Sequence, residues 1–565
     1  MKIQILLFSI TAWLYASCTT IDTTQPETGL LTKNAMVVSA HSLASEAGKQ
    51  ALLAGGNAFD AAVATHFTLA VVYPQAGNLG GGGFAVYRLN DGEIGTLDFR
   101  EKAPLAATKN MYQDSTGQVV PNKSLVGHLA VGVPGSVDGL LKIHEKYGLL
   151  PLATILQPAI DLAKNGHAIN KTLAKELNRF KTTFLQVNQR QTPYSKEENW
   201  NQGDTLINQD LAKTLTAIRD YGRSGFYKGW VAASIISESK KGHGLLTQAD
   251  LNRYESKWRK PLVGTYKNHK IITMPPPSAG GITLLQMLQG SEFYDLEKSG
   301  YNTSETIHKM IEIERRAYAD RSTYLGDPAF VEMPLDRLLS TAYNQSKFSN
   351  IDPSLATPSS QIKEGQVEVI ESMETTHFSI LDQAGNAIAI TTTLNSYFGS
   401  KVVVQGAGFF LNNEMDDFSA KPGVPNQFGL ISTAANAIEP EKRMLSSMTP
   451  TIVEKEGKIK MVLGTPGGST IITSVYQTIL NTIDHQMTMQ QAVNAPKFHS
   501  QWLPDKVYFE QGKFDQPLLD SIASLGHQIE FRKALGKLEC IMVHKDGSIE
   551  GAPDITRNES VAAGF

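Results

Sequence analysis

The sequence predicts a mixed α/β (α+β) fold, and three stretches carry that prediction. Residues 36–90 read as a strand, two helices and a second strand, with glycines at the joins. Residues 130–345 have mainly helical periodicity broken by polar loops such as "NGHAIN" and "KKGHGLLT". Residues 375–395 and 458–480 return to strands, first as a hairpin and then as a strand, a glycine loop and a helix. The 565 residues, 41% hydrophobic and 19% charged, suffice for a sizeable core. The net charge of −3 lacks the basic excess of a nucleic-acid binder.

Taken in order, the chain opens with "MKIQILLFSITAWLYASCTT". Lys2 followed by an apolar run to Ser17 is shorter than the roughly 20 residues that span a bilayer, and it reads as a signal peptide over residues 1–17. Cys18 follows "LYAS", which resembles a bacterial lipobox, although Tyr15 fits that pattern poorly. The alternative is plain cleavage near Ala16 or Ser17. Residues 18–35 then form a polar tether. The expectation is an exported protein, periplasmic or anchored to a membrane through a lipidated Cys18. Cys540, in "LECIMV", reads as a buried strand residue, and with Cys18 lipidated or removed it has no disulfide partner.

A helix from about Asn57 to Val72 is apolar nearly all round, so it is expected to be buried, with His66 as a core histidine. Gly80–Gly83 allow a close backbone approach. The helix in "MIEIERRAYADRSTYLGDP" reads as a solvated charged face with internal ion pairs. Residues 351–374 are polar, without aromatics, and read as a flexible segment. They abut "TTHFSILDQAGNAIAITTTLN", a hairpin turning at Gln383–Asn386. Pairing Asp382 with Ala387 sets Thr376 opposite Thr393 and leaves Thr375 one residue away.

The P-loop, HExxH, EF-hand and GxSxG signatures are absent, and nothing calls for a metal or an organic cofactor. "GTPGGS" (464–469) has no following lysine, so it reads as an oxyanion hole made of backbone N–H donors and not as a phosphate cradle. A threonine hydroxyl is a weak nucleophile. A cut before Thr375 would give it its own α-amine, whose pKa of about 7.7–8.0 leaves a neutral fraction available as base.

"TTHFSI", "TLNSYFG", "LNNEMDDFSAKPGVPN", "LSSMTPTIV" and "GTPGGS", with "DFREKAP" and "NLGGGGF" upstream, resemble the motifs of γ-glutamyltranspeptidases from about residue 36 to the C-terminus. The resemblance implies the N-terminal-nucleophile hydrolase fold, a four-layer αββα sandwich. It also implies a precursor that cuts itself between Glu374 and Thr375 into a large chain (36–374) and a small chain (375–565). Thr375 would be the nucleophile, tuned by Thr393, with Gly467 and Gly468 stabilising the oxyanion. Arg100, Ser446 and Ser447 would hold the α-carboxylate of a γ-glutamyl group, and Asn395, Glu414 and Asp417 its ammonium. Substrates would be glutathione and other γ-glutamyl amides, with water, amino acids or peptides as acceptors. "KPGVPNQFGLI" resembles the family's lid loop, with Phe428 where some members have tyrosine. Two alternatives stand beside this reading: a cephalosporin or glutaryl acylase of the same fold, and a non-catalytic surface lipoprotein.

Overall fold

The computed structural model describes residues 28–362, 375–556 and 559–565. The signal segment, Cys18, most of the tether and Glu374 lie outside the described residues. Fourteen strands build two antiparallel sheets of seven. In chain order they are β1 (Leu30–Thr32), β2 (Met36–Ser39), β3 (Gly82–Arg88), β4 (Ile94–Asp98), β5 (Lys257–Arg259), β6 (Leu262–Tyr266) and β7 (His269–Thr273). After residue 374 come β8 (Thr376–Leu381), β9 (Ala387–Thr393), β10 (Thr451–Lys455), β11 (Lys458–Leu463), β12 (Glu539–Val543), β13 (Ile549–Pro553) and β14 (Val561–Gly564). One sheet runs β14-β2-β8-β9-β3-β4-β5, the other β1-β13-β12-β11-β10-β7-β6. Each sheet mixes strands from before and after residue 374.

The period-2 alternation of these strands assigns their side chains to different cores. Met36, Val38, Ala387, Ala389, Ile452, Val462 and Ile541 meet between the sheets. Val37, Phe378, Ile380, Ile388 and Ile390 face the opposite way, onto a core shared with the helices α1 (Ser42–Leu53) and α2 (Ala58–Val72). Val453, Met461, Leu463, Cys540 and Met542 face a third core with α3 (Gly280–Ser291), α4 (Ser304–Tyr324) and α5 (Thr470–Ile483). The result is the αββα layering, with Cys540 fully buried. α2 is buried along its whole length and starts at a capping box between Asn57 and Asp60. His66 Nε2–H donates to the Asn78 carbonyl at 2.9 Å, and burial lowers its pKa to about 4, so it is a neutral core group.

Three expectations need correction. The hairpin pairs Leu381 with Ala387 and Thr376 with Thr392, one residue from the expected register. Asp382 instead pairs with Asn386, because its carboxylate takes N–H donors from Asn386 and, across the layers, from Ala58 at the start of α2. That shift brings Thr375, not Thr376, to Thr393. Second, α4 is not solvated. Glu312, Glu314, Arg315, Arg316, Asp320 and Arg321 are all buried. Four of them have ion-pair partners: Arg316 pairs with Glu312, Arg315 with Asp505, and Lys347 with Asp320. Third, the 351–362 part of the supposedly flexible segment is pinned to the later half of the chain. Ala356 N donates to Leu525 O at 2.7 Å, Ser359 N to Asp505 at 2.8 Å, and Trp502 Nε1 to Ser359 O at 3.1 Å. Main-chain groups of this segment, with the Ser359 hydroxyl on Trp502 O, find partners in a neighbour, which a composition argument does not see.

The glycine run before β3 explains how the hairpin end is held. A Cβ at Gly81 would stand 2.0 Å from the Thr393 carbonyl oxygen. Asn78 fills the remaining gap: its amide donates to Thr393 O and Thr392 Oγ1, and its carbonyl accepts from Gly81 N and Ser136 Oγ. Asn78→Ala leaves these buried groups unpaired and should cost about 1–3 kcal/mol, read as a lower urea midpoint, with turnover reduced because Thr393 loses its support.

Candidate active site

One pocket takes in Thr375, Thr393, Asn395, Arg100, Glu414, Asp417, Ser446, Ser447 and Gly468, which the chain supplies from widely separated stretches. Gly467 stands behind Gly468, where its Cβ position would meet Thr470 Oγ1 at 2.5 Å. Glu374 is outside the described residues.

Thr375 is buried at the start of β8, and its Oγ1 donates to Thr393 Oγ1 at 3.3 Å. Thr393 Oγ1 in turn accepts from Asn395 N at 2.8 Å. Asn395 has φ of 77°, a left-handed conformation that asparagine tolerates, and its amide donates to Asn413 O. The chain thus turns sharply after β9 and keeps the Asn395 side chain at the pocket.

Arg100 lies two residues past the end of β4 and is buried among acids. Its Nη1 lies 2.8 Å from Glu414 and 3.7 Å from Glu101, and its Nη2 donates to Asp417 at 2.5 Å. Three carboxyls around one guanidinium leave a surplus of acidic groups that one cation cannot keep ionised. Burial is the main cause that raises all three: Glu101 to about 8, Glu414 well above the carboxylate range, and Asp417 upward, with Arg100 opposing the shift in each case.

A second guanidinium lines the pocket, and the sequence reading missed it. Arg321, on the last turn of α4, donates from Nη2 to Ser447 Oγ at 2.9 Å. Its Nε and Nη1 are buried without a hydrogen-bond partner. Treating the α4 charges as solvated hid it; the signal was an arginine amid apolar i, i+3 and i+4 neighbours. Ser446 and Ser447 are held by the "MPPPSAGG" stretch, since Ser446 N donates to Pro277 O and Ala279 N to Ser446 O.

The lid segment closes the pocket. Asn426 donates to Asp417 Oδ1 at 3.0 Å, Gln427 N to Asp416 Oδ2 at 3.0 Å, and Gln501 Nε2 to the Phe428 carbonyl at 3.1 Å. The Phe428 ring covers Gly468 so closely that a Cβ there would sit 2.5 Å from it. Phe428 thus covers the glycine loop by packing alone, and the Asn395 amide is engaged with Asn413 O. Asp416 does not enter the pocket; it also accepts from Ser124 Oγ at 2.6 Å.

Burial raises Asp416 to about 7, against about 3.9 in an unfolded chain. The folded protein therefore holds this proton across about pH 4–7, and the Asp416 contribution to stability falls as pH rises through that window. Asp416→Asn should flatten this: the drop in unfolding midpoint from pH 5 to pH 8 is expected to be smaller than in wild type, by differential scanning calorimetry.

The sequence profile described as Gamma-glutamyltranspeptidase matches residues 44–564. The glutathione hydrolase proenzyme of Escherichia coli (strain K12) is 44% identical over 535 residues, covering 94% of this chain and 92% of that protein. Among solved structures, the Helicobacter pylori γ-glutamyltranspeptidase is 49% identical with a TM-score of 0.55, over 57% of this chain and 94% of that one. A cephalosporin acylase from Bacillus halodurans superposes with a TM-score of 0.82 at 24% identity, over 99% of both chains, which speaks to the fold.

Proposed function

Because the chain belongs to the γ-glutamyltranspeptidase family, with its N-terminal-nucleophile hydrolase fold, we propose that it is an exported glutathione hydrolase and γ-glutamyl transferase that works through Thr375. The observation that carries this reading is the pocket itself. A threonine hydroxyl paired to a second threonine, Gly468, two guanidiniums and buried acids converge on one small space.

The chemistry runs in two rounds. In the precursor, Thr375 Oγ1 attacks the Glu374 carbonyl, the acyl group moves from nitrogen to oxygen, and water opens the ester. This leaves a carboxylate on Glu374 and a free amine on Thr375. In turnover, that neutral amine takes the hydroxyl proton as Oγ1 attacks the γ-carbonyl. Charge develops on the carbonyl oxygen, where Gly468 N–H, with Gly467, stabilises it. The leaving amine departs with a proton, and the γ-glutamyl ester passes to water or to an acceptor amine.

Recognition follows from charge. The α-carboxylate suits Arg321, Ser446 and Ser447 together with Arg100, since a guanidinium fork matches a carboxylate. The ammonium neutralises the surplus around Glu414 and Asp417, with Asn395 as a further partner. The open space is about 20 Å³, on the scale of one water. A glutamyl group thus enters when the Asn426–Phe428 lid lifts and Arg100 exchanges a carboxylate partner for the substrate's. Export rests on the signal-like residues 1–17, with lipid anchoring at Cys18 as the means of retention.

Thr375→Ala should migrate as a single full-length band and release no p-nitroaniline from L-γ-glutamyl-p-nitroanilide, while wild-type protein shows two bands, the smaller beginning at Thr375. Two bands from the variant would refute the assignment. Arg321→Gln should raise KM for the same donor roughly 10- to 100-fold with a smaller change in kcat, as expected when a charged hydrogen bond to the substrate is lost. A glutaryl anilide, which lacks the ammonium, should turn over far more slowly; equal rates would favour the acylase reading.

A further inference from the structure

We propose that Tyr318 is a positioning residue for the oxyanion-binding loop; this rests on the assignment of Gly468 N–H as an oxyanion donor. Tyr318 lies on α4, fully buried, three residues before Arg321. Its ring meets His499 edge-on at 5.6 Å, and its hydroxyl donates to the Ser469 carbonyl. Ser469 closes the glycine loop and caps α5.

The consequence becomes visible when peptide units are followed instead of residues. A peptide group is planar, so fixing its C=O fixes its N–H. The Ser469 carbonyl held by Tyr318 belongs to the same plane as Thr470 N–H. That N–H donates to Gly467 O at 3.0 Å, and Thr470 Oγ1 donates to the same oxygen at 2.8 Å. The Gly467 carbonyl shares its plane with Gly468 N–H. The Tyr318 hydroxyl is thus two peptide planes away from the proposed donor, joined to it by hydrogen bonds at each step.

This support matters because the two glycines restrain the loop least at the donor itself. Gly467 and Gly468 have φ of 140° and 55°, and glycine restricts its backbone least of all residues. Phe428 covers Gly468 from the pocket side, while Tyr318 anchors the loop from the helix side. An oxyanion hole is effective when its donors already point at the developing charge. The same helix presents Arg321 to Ser447, so α4 sets the spacing between the reacting carbonyl and the proposed carboxylate seat.

Tyr318→Phe keeps the ring and its packing and removes only the hydroxyl. The expected result is a fall in kcat of about 10-fold, less than the loss of a donor itself, with KM within about twofold. Binding of a boronate that forms a tetrahedral adduct at Thr375 should weaken by the same factor as kcat, while inhibition by glutamate stays unchanged. Thr470→Val removes the second bond to Gly467 O, and its effect should be non-additive with Tyr318→Phe because both act through the Gly467 carbonyl. A variant that matches wild type in kcat and boronate affinity overturns the proposal, as does a kcat loss accompanied by weaker glutamate binding and a lower unfolding midpoint. If Tyr318→Phe is recovered uncut, the rate at which the small fragment appears replaces kcat. Slowing at an unchanged midpoint supports the role; slowing with a lowered midpoint refutes it. Wild-type enzyme without γ-glutamyl turnover would overturn the underlying reading and this one together, whereas an unaffected variant overturns this one alone.

Discussion

The pairing of β8 with β9 is the constraint on which the rest of the site depends. In a strand pair a slip of one residue moves every side chain to the other face. Here the slip is blocked at both ends. At the turn, Asp382 ties Asn386 and the start of α2. At the far end, Gly81 and Asn78 press against the Thr393 carbonyl. Between them, Phe378, Ile380, Ile388 and Ile390 are committed to the helix-side core. Thr375 is left opposite Thr393 with no other register available, and the loop beyond β9 is aimed at the pocket.

Around that fixed point the electrostatics are deliberately unbalanced. Arg100 faces Glu101, Glu414 and Asp417, and Arg321 adds an attraction to Asp417. Burying charge is costly unless it is paired, so the acids hold protons more tightly and the excess is open to relief by a cation. Arg321 has the converse imbalance, with two nitrogen atoms unserved by the protein. A zwitterion with its carboxylate and ammonium on one carbon answers both needs at once. Neither group alone would do so, and on the proposed reading the pocket would take the α-carbon end of a ligand and leave a carbonyl farther along the chain at Thr375.

Much of this was legible in the residues. Alternation of apolar and polar positions located the hairpin, the Asn57 cap marked α2, and the glycine loop before an apolar helix marked the Gly468 side of the pocket. The ordered set of motifs located Arg100, Asn395, Glu414, Asp417, Ser446 and Ser447, all of which the fold gathers. What escaped had a common physical cause. The hairpin register was set by Asp382 bonding to a helix more than 300 residues earlier in the chain, and the burial of α4 and of residues 351–362 depended on partners such as Asp505, Trp502 and Leu525. Charge and polarity announce a need for partners; they do not say whether water or protein meets it. Arg321 and Tyr318 were lost to that ambiguity.

The interleaving of the two sheets has a mechanical consequence. β2, β3, β4 and β5 share one sheet with β8, β9 and β14, and β1, β6 and β7 share the other with β10 to β13. A break in the backbone before Thr375 would sever one covalent link and no ladder. Two fragments so dovetailed cannot part by sliding off a flat interface; separating them means dismantling both sheets. Halves from different molecules would therefore not trade places on the timescale of folded life, and a damaged half could not be renewed by an intact one.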